Sequence, residues 1–246
     1  MASRSLVFSI LAATVLATLA AGCRAAYTPV RPLVHETVTL GSHSMPYAVS
    51  IPPGHRAGKR WPVILFLHGF GERGDDGVTQ TQGFGGFLRR NIDRFPCLVV
   101  MPQMPRSYVR WSGVMNDLAL KALDDGVRKY HGDRRRLYLT GCSMGGGGCW
   151  RIAALHPYLF AAVMPLCGHT EPAAQAPALK SLPIWVFHGA ADPLVPVRFS
   201  REMVAAIRRE GGTKIRYTEY PGVGHDCWDS TYSDPKVIAW LLSQKR

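Results

Sequence analysis

The chain predicts a three-layer α/β fold, a mostly parallel sheet covered by helices on both faces. Three observations lead there. Short apolar runs such as Val63 to Leu67 and Ile184 to His188 recur, each suited to a strand covered on both sides. Between them lie stretches with leucine, alanine and valine at helical spacing, the alternation of a parallel sheet. The third is Tyr138 to Gly146, where an apolar strand runs into Gly141-Cys142-Ser143-Met144-Gly145 and a helix follows at once. A serine on so tight a turn needs small neighbours, and the strain holds its hydroxyl above the sheet.

The elements follow in order. Thr37 to Leu40 and Tyr47 to Ile51 read as an opening antiparallel pair, and Val63 to Leu67 as the first buried strand. Phe84 to Ile92 is helical, and Cys97 to Met101 is the next strand. Asp117 to Tyr130 is a helix ending near Gly132, Leu137 to Thr140 the strand before the serine, and Gly146 to Leu155 its helix, ended by His156-Pro157. Phe160 to Leu166 and Ile184 to His188 are strands. Arg198 to Arg209 is a helix stopped by Gly211-Gly212, Ile215 to Tyr220 the last strand, and Lys236 to Ser243 the closing helix. No inter-strand segment is long enough for a separate lid domain. The 246 residues, 47% hydrophobic and 19% charged, suit one globular domain.

Residues 1–26 read as an export signal and the start of a tether, leaving 27–246 as the folded domain. Arg4 precedes an apolar run from Leu6 to Ala21 that is shorter than a membrane span and ends in small residues. Leu19-Ala20-Ala21-Gly22-Cys23 matches a lipoprotein box except that the large aliphatic residue stands one position early. Lipidation of Cys23 and plain cleavage nearby are both open. Either places the protein outside the cytosol, periplasmic or at the cell surface.

The formal net charge is +12, from scattered arginines such as Arg89-Arg90 and Arg134-Arg135-Arg136. They do not interleave with aromatic residues, so no nucleic-acid partner is expected. A solvated basic surface and loose attraction to anionic headgroups or polymers are the two readings of that charge.

Ser143 needs a base, and the base needs an acid to orient it. Of nine histidines, His225 alone follows the last strand in a glycine-rich loop, Gly222-Val223-Gly224-His225. Asp192, in His188-Gly189-Ala190-Ala191-Asp192, ends a strand between the two, with Asp226 and Glu171 as rivals. The order serine, acid, histidine is that of a nucleophile elbow and its partners. Two backbone N–H groups should face the developing charge. Met144, next after the serine, supplies one. Phe70, in His68-Gly69-Phe70-Gly71-Glu72-Arg73-Gly74, supplies the other. Glu72 and Arg73 either touch substrate or, the reading favoured here, pair with each other and shape that loop. Phe70, Trp111, Met144 and Trp228 are candidate cleft walls and Gln103 a polar contact. Neither a His-Glu-x-x-His nor a paired Cys-x-x-Cys pattern occurs, so no metal or other cofactor is expected.

From Arg31 onward the sequence resembles the α/β-hydrolases. Within them it resembles the small secreted esterases variously labelled carboxylesterase/phospholipase, predicted peptidase, or polyhydroxybutyrate-depolymerase-like and feruloyl-esterase-like. The motifs are His68 to Gly74, Met101-Pro102-Gln103, Gly141 to Gly146, Pro165-Leu166-Cys167-Gly168, His188 to Asp192 and Gly224-His225-Asp226-Cys227-Trp228. The resemblance implies an open-clefted serine esterase acting on short acyl, aryl or polymer-borne esters. A serine peptidase of prolyl-oligopeptidase type and a non-catalytic surface binding protein on the same scaffold are the alternatives. Some tannase-like and fungal feruloyl esterases bridge the nucleophile and histidine loops, with the second cysteine directly after the histidine. By that likeness Cys142 and Cys227 are a candidate disulfide, although Cys227 stands one residue later.

Overall fold

The computed structural model describes residues 33–246. The export signal, the tether to residue 32 and Cys23 lie outside the described residues.

The buried strand Trp61–Leu67 (β3) shows how the layers arise. Side chains alternate across a strand. Val63, Leu65 and Leu67 enter one core, and Ile64 and Phe66 enter the other. Helices therefore have to cover both faces. Val114–Lys129 (α2), Met144–Leu155 (α3), Pro172–Leu179 (α4) and Arg198–Arg209 (α5) put their apolar stripes into the first core. Phe84–Arg90 (α1), Trp228–Ser233 (α6) and Pro235–Ser243 (α7) cover the second.

Before β3 comes a hairpin, Leu33–Leu40 (β1) and His43–Ser50 (β2), turned through Gly41 at φ +58°. After it come Leu98–Pro102 (β4), Gly132–Cys142 (β5), Ala162–Leu166 (β6), Ile184–Gly189 (β7) and Ile215–Tyr220 (β8). They form one eight-stranded sheet in the order β1-β2-β4-β3-β5-β6-β7-β8. β2 pairs antiparallel with β1 and β4, and every later pairing is parallel. From β3 the chain winds first to β4 on one side, then returns to β5 on the other. Open parallel sheets bind ligands at the carboxyl ends of the strands around such a reversal. His68 follows β3 there, and Ser143 follows β5.

Most elements fall where the pattern puts them, although the hairpin strands begin earlier than read, at Leu33 and His43, and three further differences stand out. β5 begins at Gly132 rather than Leu137, because charged Arg134 and Arg135 extend it along the surface. α4 and α6 have no counterpart in the sequence reading. α4 carries proline at its first position, where its missing N–H costs nothing, but Pro177 inside it breaks the helical signal. α6 is six mostly polar residues, too short to show a period. No helix among the described residues is long and apolar enough to cross a membrane, and none of the described segments forms a separate lid.

Candidate active site

Ser143 occupies a strained backbone, φ 57° and ψ −119°, a region almost reserved for glycine. The surrounding contacts impose it. A Cβ on Gly145 would lie 1.9 Å from the Leu67 carbonyl oxygen, and one on Gly146 would lie 2.2 Å from that of Leu166. α3 thus runs almost in contact with β3 and β6, and the chain has no room for a wider turn.

The strain delivers Ser143 Oγ to His225. The hydroxyl donates to His225 Nε2 at 2.8 Å, and His225 Nδ1–H donates to Asp192 Oδ2 at 2.7 Å. The carboxylate can only accept, which fixes the proton on Nδ1 and leaves Nε2 as acceptor. Asp192 Oδ1 accepts the amides of Leu194 and Val195, each at 2.9 Å. Burial pushes this carboxyl up. The bonds from His225 and the two amides outweigh that and hold it below its ordinary value. His188 Nε2 stands 3.2 Å from Asp192 Oδ2 and 2.9 Å from the Val195 oxygen, while its Nδ1 meets the Ser200 hydroxyl. Burial drives His188 toward the neutral form, so it braces the acid without competing for its charge. The rival acids stand elsewhere. Glu171 pairs with Arg151 at 3.0 Å, and Asp226 is exposed.

Two further residues beside Ser143 begin helical turns. Met144 is the first residue of α3, and Phe70 opens a 3-10 turn, Phe70–Glu72. First-turn amides have no partner within their own helix, so both N–H groups are available to an anion.

Ser143 lines two cavities. One, of about 710 Å³, is walled by Phe66, Phe84, Phe87, Tyr232 and Trp228. The other, of about 340 Å³, carries Met144, Val109, Arg110, Arg151 and His169. Phe70 borders both and is half exposed. Trp228 stands edge-on to His225, ring centroids 5.7 Å apart.

Other candidate residues sit differently from expectation. Trp111 is fully buried, donates its indole N–H to the His68 carbonyl, and packs where a Cβ on Gly148 would lie. It is core, not cleft wall. Gln103 is also fully buried. Its oxygen accepts the Gly77 amide at 2.7 Å and its nitrogen donates to Asp76 Oδ1, so it props the loop behind the cleft. Both are polar or aromatic residues next to a binding loop, a pattern that sequence cannot separate from lining it. The aromatic wall residues Phe66, Phe84, Phe87 and Tyr232 were missed. Phe66, Phe84 and Phe87 sit in segments whose apolar character reads equally well as core, and Tyr232 sits in a short, mostly polar helix that gives no periodic signal.

Glu72 and Arg73 do not pair. Arg73 turns outward and donates to the carbonyls of Phe70, Arg106 and Tyr108, its guanidinium 3.4 Å over the Phe70 ring. Glu72 turns the other way, its Oε2 accepting the Gly69 N–H and its side chain lining the larger cleft. Nor is there a bridge between Cys142 and Cys227. All five described cysteines are buried free thiols. The thiol that hydrogen-bonds Cys227 is Cys167, which stands at the end of the neighbouring strand β6 with φ 40°. Its sulfur lies with the Asp192 carboxylate and a His225 nitrogen within 4.8 Å of one another.

The molecule has relatives among known proteins. A solved thermostable esterase is 34% identical, with a TM-score of 0.75, over 87% of this chain and 63% of that one. Acyl-protein thioesterase 1 of Neurospora crassa is 27% identical, over 74% of this chain and 65% of that protein. An uncharacterised secreted protein of Arthroderma benhamiae is 24% identical, and the match spans 77% of this chain but only 24% of that larger protein. The dienelactone hydrolase family model matches residues 108–233, just over half of the chain and inclusive of Ser143, Asp192 and His225. The chain belongs to the dienelactone hydrolase family.

Proposed function

We propose that this protein hydrolyses carboxylic esters through an acyl-enzyme on Ser143. The carrying observation is the continuous relay Ser143–His225–Asp192, with bonds of 2.8 and 2.7 Å, at the floor of an aromatic-walled cleft. Ser143 Oγ attacks the ester carbonyl while His225 Nε2 takes its proton. Asp192 holds the tautomer and stabilises the imidazolium. The carbonyl oxygen becomes an oxyanion and is received by the N–H groups of Phe70 and Met144, with the N-terminal end of α3 behind it. His225 then protonates the departing alcohol. Water enters by the reverse sequence and releases the acid.

The larger cleft has apolar walls and is open to solvent, which favours short acyl or aryl groups, free or carried on a polymer. The thermostable esterase relative supports ester cleavage, and the relative named acyl-protein thioesterase 1 supports the same class of reaction. Residues 1–26 are proposed to direct export, with Cys23 as a lipid anchor and 27–246 as the catalytic domain. The secreted relative supports that direction.

The test is hydrolysis of p-nitrophenyl esters from acetate to decanoate by residues 27–246, beside Ser143→Ala. The expected result is turnover greatest on the short chains and absent in the variant. Turnover surviving in Ser143→Ala would sink the proposal. Labelling of Ser143 by a fluorophosphonate without turnover of any ester would redirect it to peptide bonds.

A further inference from the structure

Glu72 is a buried carboxyl that the relay does not use. It lies in the wall of the larger cleft and makes no ion pair among the described residues, Arg73 facing the other way. Burial pushes it up to about 7, and the amides of Gly69 and Gly83 offset this only in part. Its Oε1 is buried against the Gly83 backbone without a well-formed hydrogen bond. A group kept at such a cost next to a nucleophile is a candidate for function.

Its contacts say which function. Glu72 Oε2 accepts the Gly69 N–H at 3.1 Å, and the Glu72 N–H donates to the Gly69 carbonyl at 3.3 Å. The same carbonyl accepts from His68 Nδ1–H at 2.7 Å. The Gly69 carbonyl and the Phe70 N–H belong to one planar trans peptide, so they point in opposite directions. Fixing the carbonyl from one side aims the N–H to the other. The next carbonyl, that of Phe70, is held from outside by Arg73 Nε at 2.9 Å.

We propose that Glu72 is a positioning residue for the oxyanion hole. Its side chain holds the Gly69 N–H while its backbone N–H and His68 Nδ1–H hold the Gly69 carbonyl, and together these bonds fix the peptide plane that directs the Phe70 N–H toward the carbonyl oxygen above Ser143. The inference rests on the esterase reading and on Phe70 as a donor. It assigns to the glutamate what loop chemistry alone does not supply, a rigid glycine. Gly69 has no side chain to limit its dihedrals, so without the carboxylate only the two bonds to its carbonyl remain and the donor's direction loosens.

The role depends on reach and on an accepting oxygen, not on charge. Gln keeps both, Asp is shorter by one methylene, and Ala has neither. The experiment measures kcat and KM on p-nitrophenyl acetate for wild type, Glu72→Ala, Glu72→Asp and Glu72→Gln per molecule labelled by a fluorophosphonate, and for Ser143→Ala per folded molecule, with thermal melts beside them. Loss of one oxyanion donor costs about 10²–10³ in kcat, and a misdirected donor should cost part of that. Glu72→Ala and Glu72→Asp are expected to lose roughly 10- to 100-fold in kcat, with KM within about threefold of wild type. Glu72→Gln is expected to recover most of the loss. Should Glu72→Ala fail to fold, the order of Gln over Asp decides. Full kcat in Glu72→Ala, or Asp equal to or better than Gln, overturns the inference while Ser143→Ala stays inactive. Activity in Ser143→Ala overturns the underlying esterase reading instead.

Discussion

Asp192→Asn leaves the fold intact and lowers kcat on the order of 10⁴-fold. The expected size follows from how each oxygen is held. Oδ1 accepts two backbone amides, from Leu194 and Val195. An asparagine must keep its oxygen there, since its NH₂ cannot face two donors. Its NH₂ then faces His225 Nδ1 in place of Oδ2. The imidazole responds by moving its proton to Nε2, the atom that should receive the Ser143 proton. The nucleophile keeps its position and loses its base. Steady-state kinetics on p-nitrophenyl acetate, with a melt to show an intact fold, measure this. A loss under about tenfold would mean that another group orients His225.

Gly145→Ala is expected to have the largest effect on stability. Its methyl would fall 1.9 Å from the Leu67 oxygen, 2.5 Å from the Leu67 carbonyl carbon and 2.8 Å from the His68 oxygen. All three are backbone atoms of β3 and its exit, in the middle of the sheet, and cannot rotate away. Relief needs α3 to lift off the sheet, which would break the packing of Trp150 and Ile152 and move the Met144 amide. Destabilisation of more than about 4 kcal/mol is expected, enough to leave little folded protein. Gly71→Ala is the control, because a Cβ there meets nothing within 4 Å. It should change the urea midpoint by no more than about 0.5 kcal/mol equivalent. Equal stability of the two variants would contradict the close approach that fixes the elbow.

Periodicity made the sheet legible. The continuous apolar run of β3 and the helical spacing in α2 and α5 are properties of consecutive residues, and tertiary context did not override them. Ser143, Asp192 and His225 could be nominated for a related reason. Each follows a strand, so topology sends all three to one edge of the sheet. Direction of side chains was not legible. Nothing in the sequence of the loop says that Arg73 turns to the Tyr108 carbonyl and Glu72 to the Gly69 amide, because adjacent residues take opposite sides according to contacts made by distant segments. The cysteines show the same limit. Cys167, just past the end of β6, is the thiol that meets Cys227, whereas the likeness to bridged esterases pointed to Cys142. Trp111 and Gln103 lie in the segment after β4 and were natural candidates for the cleft, yet both point into the interior.

The central claim is that Ser143 carries the acyl group. The most direct measurement is rapid acid quench of the protein with p-nitrophenyl acetate, followed by peptide mass analysis. One added acetyl group on the peptide containing Ser143, formed with the first burst of p-nitrophenol and absent in Ser143→Ala, is the expected result. Turnover with that serine never acetylated, or acetyl found on another residue in a productive intermediate, would contradict it.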